Sequence, residues 1–221
     1  MQKGCCVAIV RRALFVAVLL IGSLPGCASI PRAEDPDSSA IAIRFETQVP
    51  VFGHVPSTVF FARIEDDGEI AQDQVIESNF ARRGRVYLLN AAPGKYVAVA
   101  SVRSDQYGRY LTLFSKELIE STRVEVVPGK LAFMGSYFVR EPPGMGSAEP
   151  IQKHYAELLA PGLPESWAKQ FMFLTYLYRG RMQKRRRDEA AEAEFLAESR
   201  EDFAGERLGG NREMKKICHD S

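Results

Sequence analysis

Seven short runs of β-forming residues, strung between residues 40 and 139, constrain this 221-residue chain more than any other feature. They read AIAIRFE (40–46), STVFFARIE (57–65), GRVYLLN (84–90), KYVAVASVR (95–103), RYLTLFSKE (109–117), TRVEVV (122–127) and LAFMGSYFV (131–139). Val, Ile, Phe and Tyr dominate them, and turn-forming stretches such as EDDGE, ARRG, AAPGK, SDQYG and VPGK separate them. In 95–103 the residues of both parities are apolar, the pattern of a strand covered on two sides. In 122–127, Val124 and Val126 alternate with Arg123 and Glu125, as in a sheet with one wet face. Seven strands at this spacing predict a mainly β chain, folded as a seven-stranded antiparallel β-sandwich over 40–140.

Two of the strands are launched by Pro-Gly turns, APGKYVAVA (92–100) and VPGKLAFMG (128–135). Proline presets its own φ and glycine supplies the positive φ that a type II turn requires. These turns resemble those of transthyretin-like or carboxypeptidase-regulatory-like modules of bacterial surface lipoproteins, which implies a binding or scaffolding module.

Beyond Val139 the pattern changes. REPPGMGSAEP is rich in proline and glycine and predicts a linker over 141–150. A helical region is expected over 151–208, as a C-terminal helical hairpin or a long amphipathic helix, with a tail at 209–221. Ile151, Tyr155, Leu158 and Leu159 fall on one stripe, and PGLP (161–164) divides the region. Trp167, Phe171, Leu174 and Tyr178 then recur at i, i+4, i+7 and i+11. The basic run Lys184, Arg185, Arg186 and Arg187 follows them. Read as a helix, it sets Lys184 against Asp188 and Arg185 against Glu189 at i, i+4. Together these aromatic and basic residues are candidate contacts for a partner protein or an anionic membrane surface, against the plainer reading of a solvated or docked helix.

The N-terminus carries a different signal. Lys3, Arg11 and Arg12 precede an apolar run from Ala13 to Leu24 that is too short for the roughly 20 residues of a spanning helix. A basic start, a short apolar core and small residues after it describe an export signal over 1–26. Its end, Leu24-Pro25-Gly26-Cys27, resembles the lipobox of bacterial lipoproteins. That resemblance implies cleavage before Cys27 and attachment of acyl chains to its thiol. Ala28 in the next position, in place of Asp, points by the same resemblance to the outer membrane. Residues 27–39 then form a lipidated flexible tether, polar and proline-containing. Cys5 and Cys6 leave with the leader, so Cys218 is the one thiol remaining and no internal disulfide is expected.

Chemistry-bearing constellations are sparse. His54, His154 and His219 are far apart in the sequence, and no CxxC, HExxH or Gly-x-Ser-x-Gly is present. Asp66-Asp67 sits in a turn, where aspartate is favoured for backbone reasons. The 29 basic and 28 acidic residues nearly balance. Lys3, Arg11 and Arg12 sit in a leader without acids, so the remainder is slightly acidic, which argues against nucleic acid as a partner. The expectation is a non-catalytic, lipid-anchored envelope protein with a binding or scaffolding role, without metal or cofactor, its partners a membrane and an unidentified envelope protein. Two alternatives stand beside it: a carbohydrate- or small-ligand-binding module using Phe52, Tyr107 and Tyr110, or an enzyme with a nonlocal site.

Overall fold

Each of the seven runs becomes a strand, yet they are not wired as an antiparallel sandwich. The computed structural model describes residues 30–31, 34, 38–48, 53–71, 75–105, 108–140 and 176–204. The lipobox residues Leu24, Pro25, Gly26 and Cys27, most of the tether, the linker 141–150, the helical stripe through Trp167, Phe171 and Leu174, and the tail 209–221 lie outside the described residues. So do Phe52, Tyr107, His154, Cys218 and His219.

The elements in chain order are β1 (Ser39–Gln48), β2 (Gly53–His54), β3 (Thr58–Ile64), β4 (Ile76–Glu77), β5 (Phe80–Arg82), β6 (Arg85–Ala91), β7 (Gly94–Asp105) and β8 (Gly108–Phe114). Helix α1 (Lys116–Ser121), β9 (Val124–Val126), β10 (Leu131–Arg140), β11 (Tyr176–Arg186) and helix α2 (Glu189–Ala204) follow. The strands form one curled mixed sheet in the order β4-β3-β7-β8-β11-β10-β1-β6-β5, with β2 on β1 and β9 on β7. Two pairings are parallel, β1 with β10 and β11 with β8. The antiparallel expectation therefore fails at both, and the fold is mainly β with a C-terminal helix rather than a simple seven-stranded sandwich.

The largest departure is β11. Residues 176–186 were expected to be helical, and they are instead the strand at the middle of the sheet. Tyr176–Gly180 pair with Tyr110–Phe114 of β8, and Arg181–Arg186 pair with β10. One strand thus joins the β3-β7-β8 half to the β10-β1-β6 half. Gly180 stands where β11 changes partner, and a Cβ there would lie 2.8 Å from Thr112 Cγ2 and 2.9 Å from Val139 Cγ1. Contacts that short leave room for glycine alone. The expected i, i+4 pairs of Lys184 with Asp188 and Arg185 with Glu189 do not exist, because 184–186 are extended. Asp188, two residues beyond the strand, caps α2, its Oδ1 accepting from the Ala191 N–H at 2.7 Å.

Alternation splits the side chains of the β10-β1-β6 half between two faces. Inward go Ile41, Ile43 and Phe45 of β1, Val86 and Leu88 of β6, and Met134, Tyr137 and Val139 of β10, all in the main core. Phe45 packs on Phe114 at 4.9 Å and on Tyr137 at 5.5 Å between ring centroids, tying the two halves together. β7 is buried on both faces from Tyr96 to Ala100, as its unbroken apolar run predicts. α1 covers part of it with Leu118 and Ile119, and Thr122 Oγ1 accepts from the Ala98 N–H at 2.8 Å. The Pro128-Gly129 turn forms as expected: Gly129 has φ 72° and the Lys130 N–H donates to the Val127 carbonyl at 3.2 Å. Among the described residues no helix is long and apolar enough to cross a membrane.

Candidate functional site

The outer face of the same half-sheet carries two cross-strand rows, and α2 lies over both. Pairing registers place Arg82 of β5, Arg85 of β6, Arg44 of β1, Ser136 of β10 and Arg186 of β11 side by side. One step along the strands, Phe80, Tyr87, Ala42 and Phe133 form the second row. On α2, residues four apart share a stripe. Glu194, Glu198 and Asp202 make an acidic stripe that meets the arginines, and Phe195 and Phe203 meet the aromatics.

The spacings fit. Eight helical residues from Glu194 to Asp202 advance about 12 Å at ~1.5 Å each. The three strand intervals from β6 to β11 cover about 14 Å at ~4.8 Å each. Phe195 lies 4.7 Å from Phe133 and 5.8 Å from Tyr87, and Phe203 lies 5.4 Å from Phe80 and 5.3 Å from Tyr87.

The innermost contact is a two-pronged ion pair. Arg85 donates from Nε to Asp202 Oδ2 at 2.6 Å and from Nη2 to Asp202 Oδ1 at 2.8 Å. The Tyr87 hydroxyl donates to Oδ2 at 2.8 Å, and Arg82 Nη1 donates to the Asp202 backbone carbonyl at 2.8 Å. The Asp202 side chain is fully buried and that of Arg85 is 4% exposed. Arg85 also donates from Nη1 to Glu198. Its hydrogen bond to Asp202 and the neighbouring negative charge raise its pKa further, against the opposing effect of burial. Farther along the row Arg44 Nη1 reaches Glu198 at 3.1 Å, and Arg186 Nη2 reaches Glu194 at 2.9 Å.

Beside α2 a cleft of about 380 Å³ opens on the sheet. Arg44, Glu46, Ser136, Phe138, Lys184, Arg186 and Glu194 line it. Ser136, Arg186 and Arg44 belong to the arginine row, and Glu46, Phe138 and Lys184 form the next row across β1, β10 and β11. A volume of this size lies in the range of small-ligand sites.

The basic run singled out from sequence is thus divided among different roles. Lys184 and Arg186 line the cleft. Arg185 is exposed and pairs across the ladder with Tyr137. Arg187 donates to the Ser121 carbonyl at 3.1 Å and the Arg123 carbonyl at 2.8 Å, closing the end of α1. Tyr178 pairs with Thr112 within β11 and does not continue a helical stripe. The lining residues that sequence reasoning missed are Arg44, Glu46, Ser136 and Phe138, in strands it placed correctly, and Glu194 on α2; nothing local marks them, because pairing register and helix docking bring them together.

Elsewhere Tyr110 lies under Arg103, whose guanidinium carbon is 4.0 Å from the ring centroid. Burial raises the pKa of Tyr137, against its hydrogen bond to Ser121 and the nearby Arg185 and Arg187. Burial likewise raises that of Tyr96, against Arg63. Among the described residues no three His, Cys, Asp or Glu are grouped to hold a metal ion. Comparison of the chain with protein families, with curated proteins and with solved structures finds no match.

Proposed function

We propose that this chain is a lipid-anchored protein of the bacterial outer membrane whose folded body acts by binding rather than by catalysis, with the cleft beside α2 as its binding site. The observation that carries the anchor is Leu24-Pro25-Gly26-Cys27 at the end of a basic, then apolar, leader. Acylation at Cys27 supplies two or three chains, and each buried methylene contributes about 0.8 kcal/mol, so such an anchor holds where a single chain would exchange.

The binding part of the proposal is supported by a cleft of ligand size on a half-sheet whose adjoining arginine and aromatic rows lie under α2. Labelling cells with radioactive palmitate tests the anchor. Wild-type protein is expected to carry label and to sediment with membranes, and Cys27→Ser to lose both properties. Label retained in Cys27→Ser, or unchanged fractionation, would refute it.

A further inference from the structure

Charge accounting around the cleft leaves one cation over. Of the two acids that line it, Glu46 lies 3.4 Å from Arg44, and Glu194 lies 2.9 Å from Arg186 and 3.7 Å from Arg44. Both carboxylates are therefore held by guanidinium groups. The Lys184 ammonium has no carboxylate within ion-pair distance among the described residues, and its side chain is exposed at the cleft. Next along the same two strands, Arg140 and Arg181 face each other directly across the ladder, both exposed and likewise without an acid among the described residues. Like charges placed opposite one another in a ladder are destabilising, and an anion close by relieves them.

The remaining lining is as specific. Ser136 offers a hydroxyl next to Arg186 in register, and Phe138, half-buried, lies between Glu46 and Lys184 as an apolar floor. We infer that the cleft binds an oxyanion, phosphate or carboxylate, carried on a short apolar arm. Lys184 and Arg186 hold the oxyanion together with the Ser136 hydroxyl, and Phe138 seats the arm. Charged hydrogen bonds to an anion are short and about twice as strong as neutral ones, so Lys184, the cation that no described acid offsets, supplies most of the affinity, with Arg186 shared between Glu194 and the ligand. Phe138 supplies the preference for an organic anion over an inorganic one. The inference rests on the binding half of the proposed function and not on the lipid anchor, so loss of acylation and loss of ligand uptake are read separately.

Titration of the full-length protein in non-ionic detergent at low ionic strength tests this, with phenyl phosphate, benzoate, inorganic phosphate and phenol as probes. Saturable binding is expected for phenyl phosphate, weaker binding for inorganic phosphate and none for phenol; benzoate against phenyl phosphate decides which oxyanion is preferred. Lys184→Ala is expected to weaken phenyl phosphate binding about tenfold, with Lys184→Arg restoring most of it. Phe138→Ala should lower phenyl phosphate to the affinity of inorganic phosphate. Arg187→Ala removes the same charge from a neighbouring position outside the cleft and should leave affinity within about twofold, since exposed charges act weakly through solvent. Lys184 is exposed and unpaired with any acid described, so its variant keeps the far-UV spectrum and urea midpoint of the wild type. An absence of saturable binding to either organic anion, or equal losses in Lys184→Ala and Arg187→Ala, would overturn the inference.

Discussion

Replacing Asp202 with Asn probes what holds α2 to the sheet. The change keeps side-chain size and removes one negative charge from a fully buried position. Asp202 accepts three side-chain hydrogen bonds, two from Arg85 and one from Tyr87. An amide has one oxygen to offer and must turn its NH2 towards a donor, so at least one bond becomes a donor facing a donor. Removing one partner of a buried ion pair costs about 3–5 kcal/mol, because the other charge is left behind. Here Arg85 keeps Glu198, whose side chain is partly exposed, so the lower end applies and about 3 kcal/mol is expected. With a urea slope of about 2 kcal/mol/M, the midpoint falls by about 1.5 M.

The reverse comparison sharpens the test. Arg85→Met combined with Asp202→Leu exchanges the pair for apolar side chains, a kind of change that is often neutral. The double variant is expected to be more stable than Asp202→Asn alone. Urea unfolding followed by circular dichroism measures both. A loss below about 1 kcal/mol for Asp202→Asn would refute the assignment of this pair as the main polar clamp.

Two further outcomes follow from the same fold. Gly180→Ala should lower stability by about 1–3 kcal/mol, the usual cost of overpacking, since its Cβ would press on Thr112 and Val139; an unchanged urea midpoint would contradict the tight crossing of β11. Tyr137 has a pKa raised by burial, so the native state retains its proton at pH values where the unfolded chain loses it. Its contribution is complete below about pH 10 and is lost as pH rises through the raised value. Wild-type stability should fall above that pH, and Tyr137→Phe, though less stable at neutral pH, should show a shallower fall. If the two slopes coincide between pH 9 and pH 11, about where tyrosine titrates, the burial argument fails.

Much of the sheet was legible because its signals are local. The runs at 40–46, 57–65 and 95–103 alternate or fill as strands do, and Pro128-Gly129 announces its turn by the φ values those residues favour. Pairing is not local. The parallel contact of β1 with β10 joins positions about ninety residues apart, and nothing in either strand distinguishes a parallel neighbour from an antiparallel one. β11 was misread for a stated reason: Trp167, Phe171, Leu174 and Tyr178 keep helical spacing, and KRRR continues comfortably as a solvated helix. In the fold, the ladder slips one residue at Gln183, so Met182 packs on the core while Lys184 and Arg186, of the same parity, face the cleft, and no single period of two runs along the strand. The cleft residues Lys184 and Arg186 were named from sequence, but Arg44, Ser136 and Phe138 meet them only through register.

The docking of α2 divides into two kinds of contact that do different work. Phe195 and Phe203 each gain about 1.5–3 kcal/mol from burial, and that attraction is nearly indifferent to a slide along an aromatic row. The acid stripe is not indifferent. Moving α2 by one turn to set Glu198 where Asp202 stands would leave Arg186 without Glu194, and the opposite slide would leave Arg82 and Arg85 without Asp202. Apolar contact therefore holds the helix down, and the ion row sets its position. Because that row ends on Arg186, the helix also braces β11, the strand shared by both halves of the sheet. The cleft inherits its wall from the same contact, since Glu194 and Arg186 form its side next to α2. A ligand site built this way depends on a helix whose placement is decided some 12 Å away at Asp202, at about 1.5 Å per helical residue.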